Sequence, residues 1–372
     1  MLAPRSPPLH RARCDAMTAS LADLETPVVT VDLDTVEANL RRFQDYADRH
    51  DLAVRPHIKT HKIPRFARMQ VELGAVGITC QKLGEAEIMA DAGIEDILLP
   101  YNLLGPAKVA RAVALARRCR LGVSVDHAEV AHGLSEGMAA AGLTLPVLVE
   151  CDTGAQRCGV QSPSAAVHLA REVEGLPGLR FTGLMTYPPK GVPAAVDAWL
   201  AEARGLLEAT GLPAEVVSNG GTPDMWRAHK VSAASEHRPG TYIYNDRSLV
   251  AYGTCGLDDC ALRVVATVVS APTPDRVILD AGSKTLTSDL LGLTGHGLIL
   301  EYPDAVIYGL SEEHGHVDVG ACTGGARPRL GERVTVIPNH ACVVSNLFDA
   351  VYAVQDNRVI EPLRIAARGR VQ

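Results

Sequence analysis

Four short segments hold the residues best suited to chemistry. The first, Arg55-Pro-His57-Ile-Lys59-Thr60-His61-Lys62, closes an apolar run. Burial at such a place lowers a lysine's pKa and frees its amine for Schiff-base chemistry. A plain surface lysine at a loop start would carry the same letters. The second, Glu150-Cys151-Asp152-Thr153-Gly154 followed by Arg157-Cys158-Gly159, sets two acids and an arginine around a glycine turn. The planar fork of Arg157 suits an anionic group, although a structural ion pair accounts for the same residues. The third joins Ser218-Asn219-Gly220-Gly221-Thr222-Pro223 with Arg238-Pro239-Gly240-Thr241-Tyr242. Its amides and hydroxyls could hold a phosphate, or simply make a glycine-rich turn. The fourth is Pro338-Asn339-His340-Ala341-Cys342, after the strand-like Arg333–Ile337. If that strand continues, His340 and Cys342 share one face. Imidazole and thiolate suit Zn²⁺ and leave positions open for water or substrate. Glu312, Glu313, His314 and His316 read as a solvated polar loop.

The elements that must position these segments follow a clear rhythm. After an opening strand, Val28–Leu33, Asp34 and Glu37 predict a capping box for a helix over Thr35–Asp48. Eight further strands are expected: LAVRPHIK, GITCQ, DILLPY, RLGVSVD, LPVLVECD, LRFTGLMTY, EVVSNGG and EHRPGTYIY. Amphipathic stretches separate them, with room for only a short helix after Gly221. This is the pattern of a (β/α)₈ barrel, whose sites lie at the C-terminal strand ends. A doubly wound sheet is the alternative, but no GxGxxG follows the first strand. In a barrel the loops after strands 7 and 8 often share one phosphate, and the glycine-bearing third segment falls there. Beyond Gly253 the texture becomes short β-rich runs: Val264–Ser270, Arg276–Leu279, Leu298–Leu300, Arg333–Ile337 and Val351–Ala353. The expected organisation is a flexible tail over 1–23, a barrel over 24–250 and a mostly antiparallel β domain over 251–372. The 24–33 strand is one too many for the barrel and is free to join the β domain.

Composition narrows the partners. The chain has 372 residues, 47% hydrophobic and 21% charged, as in an ordinary globular protein. Lys plus Arg (36) against Asp plus Glu (43) gives −7, with no basic block, which argues against nucleic acid and anionic membranes. No apolar run reaches the ~18 residues of a membrane span. Nine scattered cysteines, an odd number, fit reduced thiols in a cytoplasmic protein better than a disulfide framework. Met1–Ala16 is rich in Pro and Arg without a signal-peptide core, and Met17 offers an alternative start.

In combination and order, RPHIKTHK, TCQKLGEAE, DTGAQRCGV, SNGGTP, RPGTYIYND, SEEHGHV and PNHAC resemble the D-threonine aldolase and D-serine dehydratase family. That family has an alanine-racemase-like barrel and uses pyridoxal phosphate; the match runs from about Leu24 to Glu361. The resemblance implies that Lys59 holds the cofactor covalently, with Gln81, Arg157 and Tyr187 around its ring and phenolate. It implies that Asn219, Gly220, Gly221, Thr222, Gly240, Thr241 and Tyr242 hold the phosphate. His340 and Cys342 would bind a divalent metal (zinc, or manganese or magnesium) beside the substrate's β-hydroxyl. The activity so implied is a lyase acting on β-hydroxy-D-amino acids. It would cleave D-threonine to glycine and acetaldehyde, or dehydrate D-serine to pyruvate and ammonia. A racemase, needing no metal, and a non-catalytic cofactor carrier, which lacks a β domain, are the competing classes. Two departures stand out. Aldolases of the family often have an acid where Cys342 stands, and His-x-Cys is more typical of the dehydratases. Many members carry a His soon after the Tyr187 strand, where this chain has Pro188-Pro189-Lys190-Gly191. The base for the β-hydroxyl is therefore unassigned, Lys190 qualifying by position alone. A homodimer is expected, one subunit's β domain covering the other's barrel mouth.

Overall fold

A computed structural model describes residues 20–322, 327–356 and 358–372. Most of the expected tail, with Met17, lies outside them. Residues 21–23, also assigned to that tail, form a 3₁₀ turn capped by Ser20. The strands are β1 (Val28–Asp32), β2 (Ala53–Val54), β3 (Ile78–Thr79), β4 (Asp96–Leu99), β5 (Arg120–Val125), β6 (Leu145–Cys151), β7 (Leu179–Thr186), β8 (Val216–Gly220) and β9 (Glu236–Arg238). From β2 to β9 they pair in parallel, β9 returning to β2. A parallel bridge between His57 and Thr79 joins β2 to β3 and completes the (β/α)₈ barrel.

The helices are α1 (Leu33–Asp48), α2 (Pro64–Glu72), α3 (Leu83–Asp91), α4 (Pro106–Ala116), α5 (Ala128–Ala140), α6 (Pro163–Gly175) and α7 (Pro193–Ala209). Proline opens α2, α4, α6 and α7, where its missing N–H costs nothing. After β8 only a 3₁₀ segment, Met225–Lys230, follows. The expected cap of α1 is corrected: Asp32, not Asp34, accepts from Thr35 N at 2.8 Å. The chain turns straight from β1 into the helix, so the cap comes two residues earlier. Asp34 instead accepts from Gln355, and Glu37 pairs with Arg41 one turn on.

The remaining helices are α8 (Arg247–Ala251), α9 (Ser283–Leu286) and α10 (Ala341–Leu347). Among them run β10 (Leu262–Thr273), β11 (Arg276–Leu279), β12 (Leu298–Ile299), β13 (Val306–Leu310), β14 (Gly315–Asp318), β15 (Arg333–Ile337), β16 (Ala350–Gln355) and β17 (Arg358–Arg364). These build a nine-stranded, mostly antiparallel sheet. β1 lies inside it, antiparallel to β10 and parallel to β16. Strands β13, β14 and β17 were not expected. The expected loop Glu312–His316 is half strand: Gly315 and His316 belong to β14, and Glu313 pairs with Lys284 at 2.6 Å. Val29, Val31, Leu262, Val264 and Val351 of this sheet share one core with Val36, Leu40 and Phe43 of α1. The helix after β1 thus packs the two sheets together.

Candidate active site

A cavity of about 330 Å³ opens at the C-terminal ends of the barrel strands. Lys59, Gln81, Arg157, Tyr187, Gly221, Thr222, Gly240, Thr241, His340 and Cys342 all line it. Residues from both ends of the sequence thus meet at the mouth where this barrel type does its chemistry. Asn219, Gly220 and Tyr242 are not among its lining residues. Tyr242 turns its hydroxyl to Gln70 and packs its ring edge-on against Phe43, with centroids 5.4 Å apart. A larger cavity of about 730 Å³ lies at the opposite end of the barrel, where Arg55, Asp96 and Glu236 engage one another.

Lys59 does not close a strand. β2 ends at Val54, and Lys59 sits on a 3₁₀ turn, Ile58–Thr60, capped by His57. Pro56 cannot donate to a sheet ladder, which favours this early end. His57 Nδ1 accepts from Lys59 N at 3.3 Å, and its Nε2 meets Gln81 Oε1 at 3.0 Å. Burial, then the Lys59 charge, holds this imidazole well below its usual pKa, so it is neutral and donates to Gln81 through Nε2. Gln81 is in turn tied to Pro100 O.

The glycine-rich loops form a cup. Thr222 Oγ1 accepts from the amides of Gly240 and Thr241, each at 3.0 Å. Gly221 has φ +122°, a conformation that favours glycine, and a Cβ there would reach contact with the Tyr187 ring at 3.5 Å. A Cβ at Gly240 would stand 3.4 Å from His57 Cβ and Thr60 Oγ1. Two threonine hydroxyls, one of them fixed by those amides, and glycines that leave room make a set that fits a phosphate. Arg157 lays its guanidinium 4.6 Å over the Tyr187 ring and stands 3.7 Å from Glu150. Below them lies Arg238, which the sequence reading left without a role. Arg238 Nη1 donates to Ser218 Oγ at 2.5 Å and Nη2 to Thr186 O at 2.7 Å. Burial brings its pKa down to about 10, so it stays charged at neutral pH.

His340 and Cys342 face each other, but not on a strand. β15 stops at Ile337, Pro338 cannot extend its ladder, and His340 caps α10 with Cys342 in its first turn. The pair converges through a helix start instead. His340 Nδ1 contacts Asp289 Oδ2 at 2.7 Å, leaving Nε2 free to coordinate. Cys342 Sγ lies 3.2 Å from Thr60 Oγ1 and 3.5 Å from Thr241 Oγ1. Burial opposes charge on both, yet their mutual attraction wins. His340 is pushed up to about 9 and Cys342 is lowered. An imidazole and a thiol eased toward ionisation fit a divalent metal. No cluster of three or more His, Cys, Asp or Glu with metal-binding geometry occurs among the described residues.

Asp246, Tyr252 and Asp289 also went unread in the sequence. Asp246 Oδ2 accepts from Ala341 N at 3.0 Å and so fixes the start of α10. It closes the RPGTYIYND segment, where no local pattern points to a partner at Ala341. Arg238 had a signal: it lies two residues before Gly240 at a strand end. Lys190 does not line the cavity; its ammonium sits 3.5 Å over the Tyr252 ring.

Comparison with known proteins places both parts of the chain. Residues 31–248 match the alanine racemase N-terminal domain, and residues 261–354 match a putative serine dehydratase domain. D-threonine aldolase of Arthrobacter sp. is 37% identical over 94% of each chain. D-threo-3-hydroxyaspartate dehydratase of Delftia sp. is 32% identical over 91% of this chain and 96% of that one. The crystal structure of D-threonine aldolase from Filomicrobium marinum superposes with a TM-score of 0.88 at 34% identity, covering 97% of this chain and all of the other. One of the similar dehydratase structures is a cysteine-to-alanine variant in the metal-free form. A barrel with the racemase-type topology, a β domain that brings His340 and Cys342 to its mouth, and this likeness over nearly the whole length agree with one another. The chain belongs to the family of pyridoxal phosphate lyases that includes D-threonine aldolase and D-threo-3-hydroxyaspartate dehydratase.

Proposed function

We propose that this protein is a pyridoxal phosphate and divalent-metal dependent lyase that cleaves β-hydroxy-D-amino acids by a retro-aldol reaction, as D-threonine aldolase does. One observation carries the reading: Lys59, the Thr222–Thr241 cup and the His340–Cys342 pair surround a single cavity of about 330 Å³. Pyridoxal phosphate, when bound, supplies an electron sink at the substrate's Cα, and a divalent metal supplies a Lewis acid for the β-hydroxyl. Lys59 binds the cofactor covalently through its amine. The Thr222 amide and the hydroxyls of Thr222 and Thr241 hold the phosphate, with Thr222 Oγ1 fixed in place by the amides of Gly240 and Thr241. Gln81, kept in place by neutral His57, borders the ring with Arg157 and Tyr187. Asn219, Gly220 and Tyr242 support the cup from outside the lining. His340 and Cys342 hold the metal, and Asp289 fixes the His340 ring.

Cys342 favours a second reading. A His-x-Cys pair is the dehydratase-like version, and with it Lys59 would take the Cα proton while the β-hydroxyl leaves. The working unit in this reading is a cytoplasmic homodimer. Exposed Tyr252 and Leu291 at the cavity rim support a covering surface there. Product analysis with D-threonine, D-serine and 3-hydroxy-D-aspartate decides the activity. Glycine and acetaldehyde from D-threonine are expected. Keto acid and ammonia from D-serine, with no glycine from D-threonine, would establish the dehydratase instead.

A further inference from the structure

We infer that Lys62, with Glu85 and Asn346, is a positioning cluster that locks the turn bearing Lys59 to the helix bearing His340 and Cys342, so that the cofactor and metal sites are coupled. The inference rests on the cofactor and metal reading just given. Lys62 closes the RPHIKTHK segment and has no part in the chemistry above. It is a non-glycine residue at φ +56°, held there by its amide, which donates to Ile58 O at 2.7 Å. Its side chain, 7% exposed, reaches inward. Nζ lies 3.2 Å from Glu85 Oε1 and donates to Asn346 Oδ1 at 2.8 Å.

Each partner leads to a different wall of the cavity. Glu85 Oε2 accepts from Gln81 N at 2.8 Å and Lys82 N at 3.2 Å, which fixes the entrance to α3 and the backbone that presents Gln81. Asn346 sits in the last turn of α10, whose first turn carries Cys342. Asn346 Oδ1 also accepts from Gly369 N at 3.2 Å, and Lys62 O accepts from Ala367 N at 3.1 Å. The Lys59 turn therefore grips α10 at both ends: Thr60 at Cys342, and Lys62 at Asn346. Packing alone does not call for an ammonium and a carboxylate here, since desolvating both is costly and methionine would fill similar space. A charged, hydrogen-bonded tie supplies direction, which placing two sites within a fraction of an ångström requires.

The test uses cofactor-loaded protein stripped of metal and titrated with Co²⁺, followed by thiolate-to-cobalt absorption. Asn346→Ala should weaken Co²⁺ binding about tenfold, as loss of an outer support does, while its cofactor absorption band stays at the wild-type position. Asn346→Asp keeps the Oδ1 acceptor and should bind within about twofold of wild type. Lys62→Met should weaken Co²⁺ at least as much and also change the cofactor band, and adding Asn346→Ala to it should cost nothing more. Wild-type Co²⁺ affinity in Asn346→Ala, equal losses in the Ala and Asp variants, or losses that multiply in the double variant would overturn the coupling. If Lys62→Met does not fold, the two Asn346 variants decide alone. Wild-type protein with no thiolate–cobalt absorption would end the metal reading, and the coupling with it. Normal wild-type absorption with an unaffected Asn346→Ala would end only the coupling.

Discussion

Lys59 and the His340–Cys342 pair reach one cavity from opposite ends of the sequence, and each is set up by a neighbour rather than by itself. The 3₁₀ turn capped by His57 aims Lys59; Asp289 and the α10 start aim the metal pair. Lys59→Ala should abolish the cofactor's absorption band and the adduct that borohydride traps. An adduct mapped by peptide analysis to Lys62 or Lys82 would contradict the assignment. The metal pair gives a pH prediction with a definite sign. His340 in metal-free protein stays protonated up to about 9, while Cys342, its pKa lowered, gives up its proton more readily. Binding a metal must then displace one proton from His340. Affinity should rise at least about tenfold per pH unit through the neutral range and flatten above about 9, because only deprotonated ligands coordinate. Calorimetric Zn²⁺ titrations at several pH values check this; affinity that falls as pH rises toward 9 would contradict it.

The strands and helices transmit these placements, and two glycines show where the barrel is intolerant and where it is not. Gly183 in β7 has φ +149°, and a Cβ there would stand 1.8 Å from Val216 O in β8. Gly183→Ala must part the two strands whose ends carry Tyr187 and the Ser218–Thr222 loop. It should cost about 3 kcal/mol, between overpacking and backbone strain, and weaken cofactor binding. Gly133 lies within α5 with nothing within 4 Å of an added Cβ. Gly133→Ala should stabilise by about 0.5–1 kcal/mol without touching the site. Urea unfolding of both variants measures the contrast. The barrel rhythm was legible because each βα unit repeats one pattern, apolar run then amphipathic stretch, and prolines mark four helix starts. The start of α10 was not legible. Its cap is fixed by Asp246, about 95 residues away in sequence, and HxC reads equally as strand. β13 and β17 escaped because VIYGL and RVIEPLR mix glycine, proline and charge into short runs.

At the scale of the whole molecule, one chain wraps two sheets so that the first strand and the last residues both cross over. β1 enters the nine-stranded sheet before the barrel begins, and Gln372 O accepts from Gly84 N at the start of α3. The site is therefore a product of assembly between the barrel mouth and the β domain, which places the Lys59 turn against α10. Segment spacing gave no account of that contact, since the residues concerned are some 280 positions apart. The central claim is that Lys59 and the His340–Cys342 pair serve one reaction in one cavity. The most direct measurement follows acetaldehyde release from D-threonine and the cofactor absorption band in the same sample, before and after a chelator and again after added Zn²⁺ or Mn²⁺. The account predicts that turnover stops on chelation and returns with metal while the cofactor band is unchanged throughout. Full turnover in chelated, metal-free protein, or in His340→Ala, would contradict it.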